Sequence, residues 1–138
     1  MVKSLLVLAL VLLTSPVLAA ILLIDGDTID INGIRIRIVD IDTPETFRSR
    51  CENELVLGLK AKERLRSLVD SGTVTFEATG TDRYRRTLAR VFVTRGAETI
   101  NVGKTLMEEG FALPYRSGGE AKLERLRTWC GPDAQLDY

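Results

Sequence analysis

Histidine is absent from the 138 residues of this chain, and cysteine occurs only at Cys51 and Cys130. A general base would therefore have to be a carboxylate, a lysine, a tyrosine or a cysteine. Two cysteines are too few for a structural zinc site of the usual Cys/His type. A divalent cation would need oxygen ligands, which favours calcium or magnesium.

The chain also lacks net charge, because 19 Lys and Arg residues balance 19 Asp and Glu residues. Excess basic charge is a common electrostatic mark of nucleic-acid binding, so composition alone indicates no partner. The length suits one domain with a modest core. No repeat, low-complexity stretch or interdomain linker divides the sequence.

The N-terminal residues have the pattern of an export signal. Lys3 supplies a positive charge, residues 5–13 form an apolar run, and residues 17–19 offer a cleavage site. We expect residues 1–19 to be a cleaved signal peptide and residues 20–138 to form the domain. The mature protein would then be secreted or periplasmic, without stable membrane association. A membrane anchor is the alternative, against which Pro16 and an apolar first strand at residues 21–24 argue.

Export bears on the cysteine pair, because two cysteines in an oxidising compartment usually form a disulfide. A Cys51–Cys130 bond would tie the end of the chain to its middle and stabilise the fold by about 4 kcal/mol through loop closure. Two buried free thiols are the alternative.

Isoleucines alternate with polar residues from Ile29 to Ile38, on both sides of Asn32-Gly33. Asn-Gly is a preferred two-residue hairpin turn. Such a turn pairs Ile31 with Ile34 and places Asp27 opposite Ile38. One face of this hairpin would hold five isoleucines: Ile29, Ile31, Ile34, Ile36 and Ile38.

Four aspartates lie on the outward extension of the same face. Strand side chains alternate and paired residues share a face, so the isoleucine wall continues into Asp25 and Asp27 on one strand and Asp40 and Asp42 on the other. Crowded carboxylates repel one another and favour a hard divalent cation. A solvated acidic rim is the alternative, and spacing alone does not decide between the two.

The tetrapeptide Thr43-Pro44-Glu45-Thr46 follows directly. Pro44 fixes its own backbone and pushes Thr43 into an extended conformation. This turn can direct the Thr43 carbonyl and the Glu45 carboxylate toward the aspartates, although an ordinary proline turn is the alternative.

Arg37 alternates onto the face opposite Asp27. It reaches the acids only through its length, together with strand twist or a bulge. A surface ion pair with Asp30 is the alternative, and the pattern alone slightly favours it.

The rest of the chain predicts further strands and helices. We expect strands at residues 73–79 and 88–94 and helices at residues 53–70 and 120–129, with another helix between an Asn101 cap and Gly110. The first helix would bury an apolar stripe: Leu55, Leu59, Leu65, Leu68 and Val69. Short strands with helices between and after them indicate an α+β domain around a small barrel.

Three sequence blocks match a known pattern: Ile-Asp-Gly-Asp-Thr at 24–28, Arg-Ile-Val-Asp-Ile-Asp-Thr-Pro-Glu-Thr at 37–46 and Asp-Arg-Tyr-Arg-Arg-Thr-Leu-Ala at 82–89. Together they resemble the staphylococcal nuclease (thermonuclease) family over nearly all of the chain after residue 19. The resemblance implies an OB-type five-stranded β-barrel with about three helices. It also implies a calcium-dependent endonuclease that acts on DNA and/or RNA. We expect the protein to be a monomer.

The same resemblance implies roles for individual residues. Asp27 and Asp42 would bind Ca2+ through their carboxylates, and Thr43 through its backbone carbonyl. Glu45 would be the general base that activates a water. Two arginines, Arg37 and Arg86, would grip the scissile phosphate, and two tyrosines, Tyr84 and Tyr115, would contact the nucleotide.

The chain departs from the family pattern at Arg85, where the family usually has glycine. If this residue is left-handed, arginine costs on the order of 1 kcal/mol there and displaces Arg86. Alternatively, Arg83, Arg85 and Arg86 bind phosphate interchangeably. The ending Trp129-Cys130-Gly131-Pro132 resembles exported bacterial members, which supports both the disulfide and export.

Two other function classes remain open at this point. A non-catalytic OB-fold module that binds nucleic acid or protein would not need the complete acid and arginine set. A metal-stabilised structural domain would explain the acids but not Arg37 and Arg86.

Overall fold

The computed structural model describes residues 19–137. The expected signal peptide therefore lies, except for Ala19, outside the described residues. Among residues 19–137, no helix combines the length and the apolar character needed to span a bilayer.

Eight strands and three helices follow one another within the described range. The strands are β1 (Ile21–Leu23), β2 (Thr28–Ile31), β3 (Ile34–Ile38), β4 (Ile41–Asp42), β5 (Thr73–Thr81), β6 (Thr87–Arg95), β7 (Glu98–Asn101) and β8 (Leu113–Pro114). The helices are α1 (Glu52–Val69), α2 (Val102–Glu108) and α3 (Gly119–Cys130). The three expected helices and the two expected later strands are confirmed, whereas the short strands β4, β7 and β8 were not predicted.

The main sheet is mixed and has the strand order β1-β2-β3-β6-β5, with β7 also paired to β6. The β3–β6 pair is parallel, and the other pairs are antiparallel. A separate two-stranded sheet joins β4 to β8. With three helices, this is an α+β architecture, as predicted.

The β2–β3 hairpin has the predicted register, with Ile31 opposite Ile34 and Ile29 opposite Ile36. Asn32 and Gly33 both have positive φ, at 51° and 85°, as a tight two-residue turn requires. Four of the five isoleucines are buried: Ile29, Ile31, Ile36 and Ile38. The prediction was wrong for Ile34, which is 46% exposed and lies directly after the turn, before the residues of β3 that pair with β6.

Helix α1 buries a stripe that agrees with the predicted one only in the second half of the helix. Leu65, Leu68 and Val69 are buried as expected, but Leu59 is 52% exposed. The stripe runs instead through Glu54, Gly58 and Ala61, residues three or four apart that share a helix face. Leu59 lies about 100° away from this face.

A disulfide joins Cys51 to Cys130, so the free-thiol alternative is wrong. Cys51 is also the N-cap of α1, where its sulfur accepts the Glu54 N–H. Because Cys130 ends α3, the bond clamps the C-terminus of one helix to the N-terminus of another.

Candidate functional site

The structure brings Asp27 and Asp42 to a single guanidinium group, that of Arg37. Its Nη2 lies 3.2 Å from Asp27 Oδ2 and 3.0 Å from Asp42 Oδ1. Its Nη1 donates to the carbonyl oxygens of Ile38 at 2.7 Å and Ile41 at 2.9 Å. The predicted convergence of these two carboxylates is confirmed.

The alternative pairing of Arg37 with Asp30 is wrong. Asp30 lies 3.5 Å from Arg35 Nε and accepts the Gly33 N–H within the hairpin turn. Arg37 instead folds over the end of β3, where the backbone turns and presents two carbonyl oxygens to it.

That backbone turn also corrects the prediction for Asp40. Its φ of 67° is left-handed, which interrupts the alternation of side chains between β3 and β4. The Asp40 carboxylate is exposed and lies 3.8 Å from Arg90 Nη2. Asp42 therefore reaches the acidic cluster and Asp40 does not.

The Thr43-Pro44-Glu45 turn packs directly on Asp27. The Thr43 N–H donates to Asp27 Oδ2 at 3.0 Å, and Thr28 Oγ1 donates to Asp27 Oδ1 at 3.0 Å. Gly26 permits this approach, because a Cβ there would lie 2.8 Å from Thr43 Oγ1. The predicted placement of the turn beside the aspartates is thus confirmed.

Helix α1 holds the backbone of Glu45. The Glu45 N–H donates to Oε1 of Glu54 at 3.3 Å, and the Glu54 side chain is fully buried. Arg50 donates to the same carboxylate from its amide and its guanidinium. Burial opposes ionisation of Glu54, but these hydrogen bonds from Arg50 outweigh it and hold the pKa of Glu54 below its usual range.

The cluster carries excess negative charge. Burial, and then repulsion from Asp27, raises the pKa of Asp25 to about 6. The same two causes raise the pKa of Asp42, although Arg37 and Arg125 partly offset them. Desolvation, followed by repulsion from Asp27, Asp25 and Asp42, raises the pKa of Glu45 to about 7, even though the residue as a whole remains exposed to solvent.

This donor set fits a hard divalent cation. Its donors are carboxylate and carbonyl oxygens, which such ions prefer, and burial together with repulsion from Asp27 raises the pKa values of Asp25, Asp42 and Glu45. Within residues 19–137, however, no three acidic or cysteine side chains already form a complete metal cage. The protein would therefore supply few side-chain ligands, leaving room for backbone carbonyls and water.

A cleft of about 630 Å³ adjoins the cluster, and Arg37, Arg86, Tyr84 and Tyr115 all line it. Parallel pairing of β3 with β6 places Arg37 opposite Leu88 and so brings the turn before β6 to the acids. Pairing of β4 with β8 brings Tyr115 there as well. Arg37 is common to the cluster and the cleft, whereas Glu45 does not line the cleft.

The turn before β6 is organised by Asp82. Its Oδ2 accepts from Arg86 Nε at 2.7 Å, and its Oδ1 accepts the backbone N–H groups of Tyr84 and Arg86. The Arg86 guanidinium lies 5.6 Å from the centre of the Tyr84 ring, within cation–π distance.

Arg85 has the left-handed backbone that the sequence analysis considered, with φ of 63°. It is exposed and does not line the cleft, unlike Arg83 and Arg86. The arginine at the family's glycine position therefore carries backbone strain at the tip of the turn.

Two residues of the site were missed by the sequence analysis. Arg125 donates from Nε to Asp42 Oδ2 at 2.7 Å, and Glu54 holds the Glu45 turn. Both have a charged side chain within an apolar helix stripe, Arg125 four residues before Trp129 and Glu54 four residues before Gly58. That pattern is the signal that could have revealed them, because buried charges require a partner.

Comparison with known sequences agrees with this geometry. Residues 35–129 match the model of the staphylococcal nuclease homologue family. The chain is 33% identical to a micrococcal nuclease of Shigella flexneri, over 82% of this chain and 73% of that protein. It is 31% identical to Protein ParB of Escherichia coli, over 97% and 86%, and 31% identical to an uncharacterized endonuclease of Escherichia coli, over 80% and 74%.

Proposed function

Because the chain belongs to the staphylococcal nuclease homologue family and is a nuclease, we propose that it is a calcium-dependent endonuclease that hydrolyses phosphodiester bonds of DNA and/or RNA. The observation that carries this proposal is the position of Arg37. It contacts both Asp27 and Asp42 and also lines the cleft that contains Arg86.

In this proposal, the Asp27 and Asp42 carboxylates and the Thr43 carbonyl hold Ca2+. The bound ion supplies neutralisation of phosphate charge and polarisation of the phosphorus centre. Thr43 is 3% exposed and donates its N–H to Asp27, so its backbone is fixed against the metal-binding acids.

Glu45 is the proposed general base. A carboxylate whose pKa is about 7 can accept a proton from water near neutral pH, which matches base strength to working conditions. Two arginine forks, Arg37 and Arg86, bind the phosphate and stabilise the additional negative charge of the five-coordinate transition state. The oxygen of the water that gives its proton to Glu45 forms the new bond to phosphorus, and the bond from phosphorus to the leaving oxygen breaks. The leaving oxygen keeps the bonding electrons and is protonated from solvent.

Exposed side chains make the proposed contacts with the parts of the substrate other than the scissile phosphate. Tyr84 and Tyr115 are 64% and 52% exposed and present ring faces that bases can stack against. Arg85 adds a positive charge at the tip of the same turn. Since the chain has no net charge, affinity depends on these local arginines, and a short single-stranded segment is the expected substrate.

We also propose that the strands β1, β2, β3, β6 and β5 of the mixed sheet form the OB-type five-stranded barrel of the family, and that the mature protein is a monomer. Its expected location is secreted or periplasmic, following cleavage of residues 1–19. The Cys51–Cys130 disulfide supports this location, because such bonds persist in oxidising compartments.

The test is cleavage of single-stranded DNA and of RNA by the purified protein in calcium, in EGTA, and after Glu45→Gln. We expect EGTA to abolish cleavage and Glu45→Gln to reduce it by about 10²- to 10⁴-fold. Glu77→Gln, an exposed acid on β5, is the matched control and should cleave normally. Equal cleavage in EGTA would remove calcium from the mechanism, and tight binding without cleavage would favour a binding module.

A further inference from the structure

Arg125 is the one buried arginine within residues 19–137, with 7% of its surface exposed. Its Nε donates to Asp42 Oδ2 at 2.7 Å, and its Nη1 donates to the Arg116 carbonyl at 3.0 Å. The guanidinium also lies 5.3 Å from the centre of the Tyr115 ring. These contacts hold the group from three directions.

Helix α3, which carries Arg125, is held in place by buried side chains and by contacts with α1. Its next residue, Leu126, is 1% exposed, and Trp129 is 6% exposed. The carbonyl of Trp129 accepts from Asn53 Nδ2 at 2.7 Å, and Cys130 is bonded to Cys51. Helix α3, which carries Arg125, is therefore anchored to α1 by this hydrogen bond and by the disulfide.

Asp42 divides its two oxygens between two arginines. Oδ1 accepts from Arg37 and Oδ2 from Arg125. Arg37 lines the cleft and also contacts Asp27, whereas Arg125 does not line the cleft. Arg37 thus lies on the side of Asp42 that faces the cleft, whereas Arg125 neutralises the same carboxylate from the side away from the cleft.

We propose that Arg125 is a positioning residue which, by neutralising part of the charge of Asp42 from α3, weakens the hold of Asp42 on Arg37 and so lets the Arg37 guanidinium bind the substrate phosphate. The inference rests on the nuclease function proposed above. Without Arg125, the full charge of Asp42 would act on Arg37, which already contacts Asp27. The site would then attract cations more strongly and phosphate more weakly.

If Arg125 acts through the charge of Asp42, its removal should change the affinity for Ca2+ and the affinity for DNA in opposite directions. Arg125→Gln should bind Ca2+ about tenfold more tightly, the order expected when a unit charge a few ångströms from a divalent ion is removed. The same variant should bind a ten-nucleotide single-stranded DNA in EGTA several-fold more weakly, with KM raised more than kcat is lowered. Arg125→Lys, which keeps the charge but loses the planar guanidinium, should move both affinities back toward their wild-type values without restoring them fully.

The experiment measures Ca2+ affinity by calorimetry, DNA affinity in EGTA by fluorescence anisotropy, and steady-state kinetics on the full chain. Lys122→Gln is the matched control, since it removes a charge from an exposed position of α3 and should change neither affinity beyond twofold. If Arg125→Gln weakens both affinities together, or changes neither, the proposal is overturned, because a role in packing alone would act in one direction. If Arg125→Gln does not fold, Arg125→Lys decides: retained DNA binding supports the charge role, and lost DNA binding overturns it.

Failure of the proposed function has a separate signature. A wild-type protein that neither binds Ca2+ nor cleaves DNA would refute the calcium-dependent nuclease. The DNA affinities of Arg125→Gln and Lys122→Gln in EGTA would still differ if Arg125 governs the availability of Arg37, and equal affinities would overturn that role.

Discussion

Gly58 of helix α1 packs directly against the carbonyl oxygen of Pro44, so closely that a Cβ on this glycine would lie only 2.6 Å from that oxygen. The helix and the turn that carries Glu45 therefore meet without a side chain between them. Contact at this distance requires one of the two backbones to move if any side chain is added.

Gly58→Ala should therefore impair activity although alanine favours helices by about 1 kcal/mol. We expect kcat to fall by about tenfold or more, because misplacement of a catalytic group by about 1 Å can cost 10²-fold. Steady-state kinetics and thermal unfolding measure the two effects. Gly119→Ala is the matched control on α3, where a Cβ meets nothing within 4 Å, and an equal loss there would contradict the explanation.

Arg85→Gly should leave activity equal or higher. The φ of 63° at this residue costs arginine on the order of 1 kcal/mol, although glycine returns part of that gain through the entropy of the unfolded chain. We expect a protein that is between zero and about 1 kcal/mol more stable, measured by chemical denaturation alongside kcat/KM.

Arg48→Gly is the control for Arg85→Gly, because Arg48 also has a positive φ, 52°, but lies in a different loop. Both variants should show the same direction of stability change. A large loss of activity in Arg85→Gly alone would show that Arg85 has taken over a phosphate contact.

The metal-free protein should lose stability as pH rises from about 4 to 7. The folded-state pKa of Asp25 is about 6, above its ordinary value of 3.8, so its favourable contribution is complete below about pH 4 and is lost as the pH passes 6. Thermal unfolding in EGTA at several pH values should show this decline, and Asp25→Asn should make it shallower. Asp133→Asn, an exposed acid outside the cluster, should leave the slope unchanged.

Loss of the disulfide should destabilise the fold by about 4 kcal/mol, the loop-closure estimate for a separation of 79 residues. The Cys51→Ser/Cys130→Ala variant isolates this effect, because serine still caps α1. The Cys51→Ala/Cys130→Ala variant also removes the cap acceptor and should lose about 1 kcal/mol more. Denaturant unfolding of both variants measures the two contributions, and equal stabilities would show that the cap contributes nothing.

Local sequence patterns accounted for much of the site. Alternating isoleucines and Asn32-Gly33 specify a register in which Asp27 lies opposite Ile38. The hydrogen bond from the Ile38 N–H to the Asp27 carbonyl confirms that register. The Pro44 turn and the three helices were likewise predictable from nearby residues. Such features depend on turn chemistry and side-chain periodicity over a few residues.

The alternation failed where the backbone left the strand. Asp40 and Asp42 are equivalent in a period of two, but the left-handed φ of Asp40 separates them. At the same turn, two carbonyl oxygens accept hydrogen bonds from Arg37. Arg37 therefore pairs with Asp27 and Asp42 and not with Asp30, the partner that the strand pattern slightly favoured.

The sequence by itself therefore determined the hairpin, the acidic segments beside it and the chemistry that a chain without histidine can use. The tertiary structure alone decided which charges meet: the parallel β3–β6 pair brings Arg37 and Arg86 to one cleft, and α3 brings Arg125 to Asp42. The physical reason is range. Turns and strand register follow from neighbouring residues, whereas contacts between residues 42 and 125 depend on how whole elements pack.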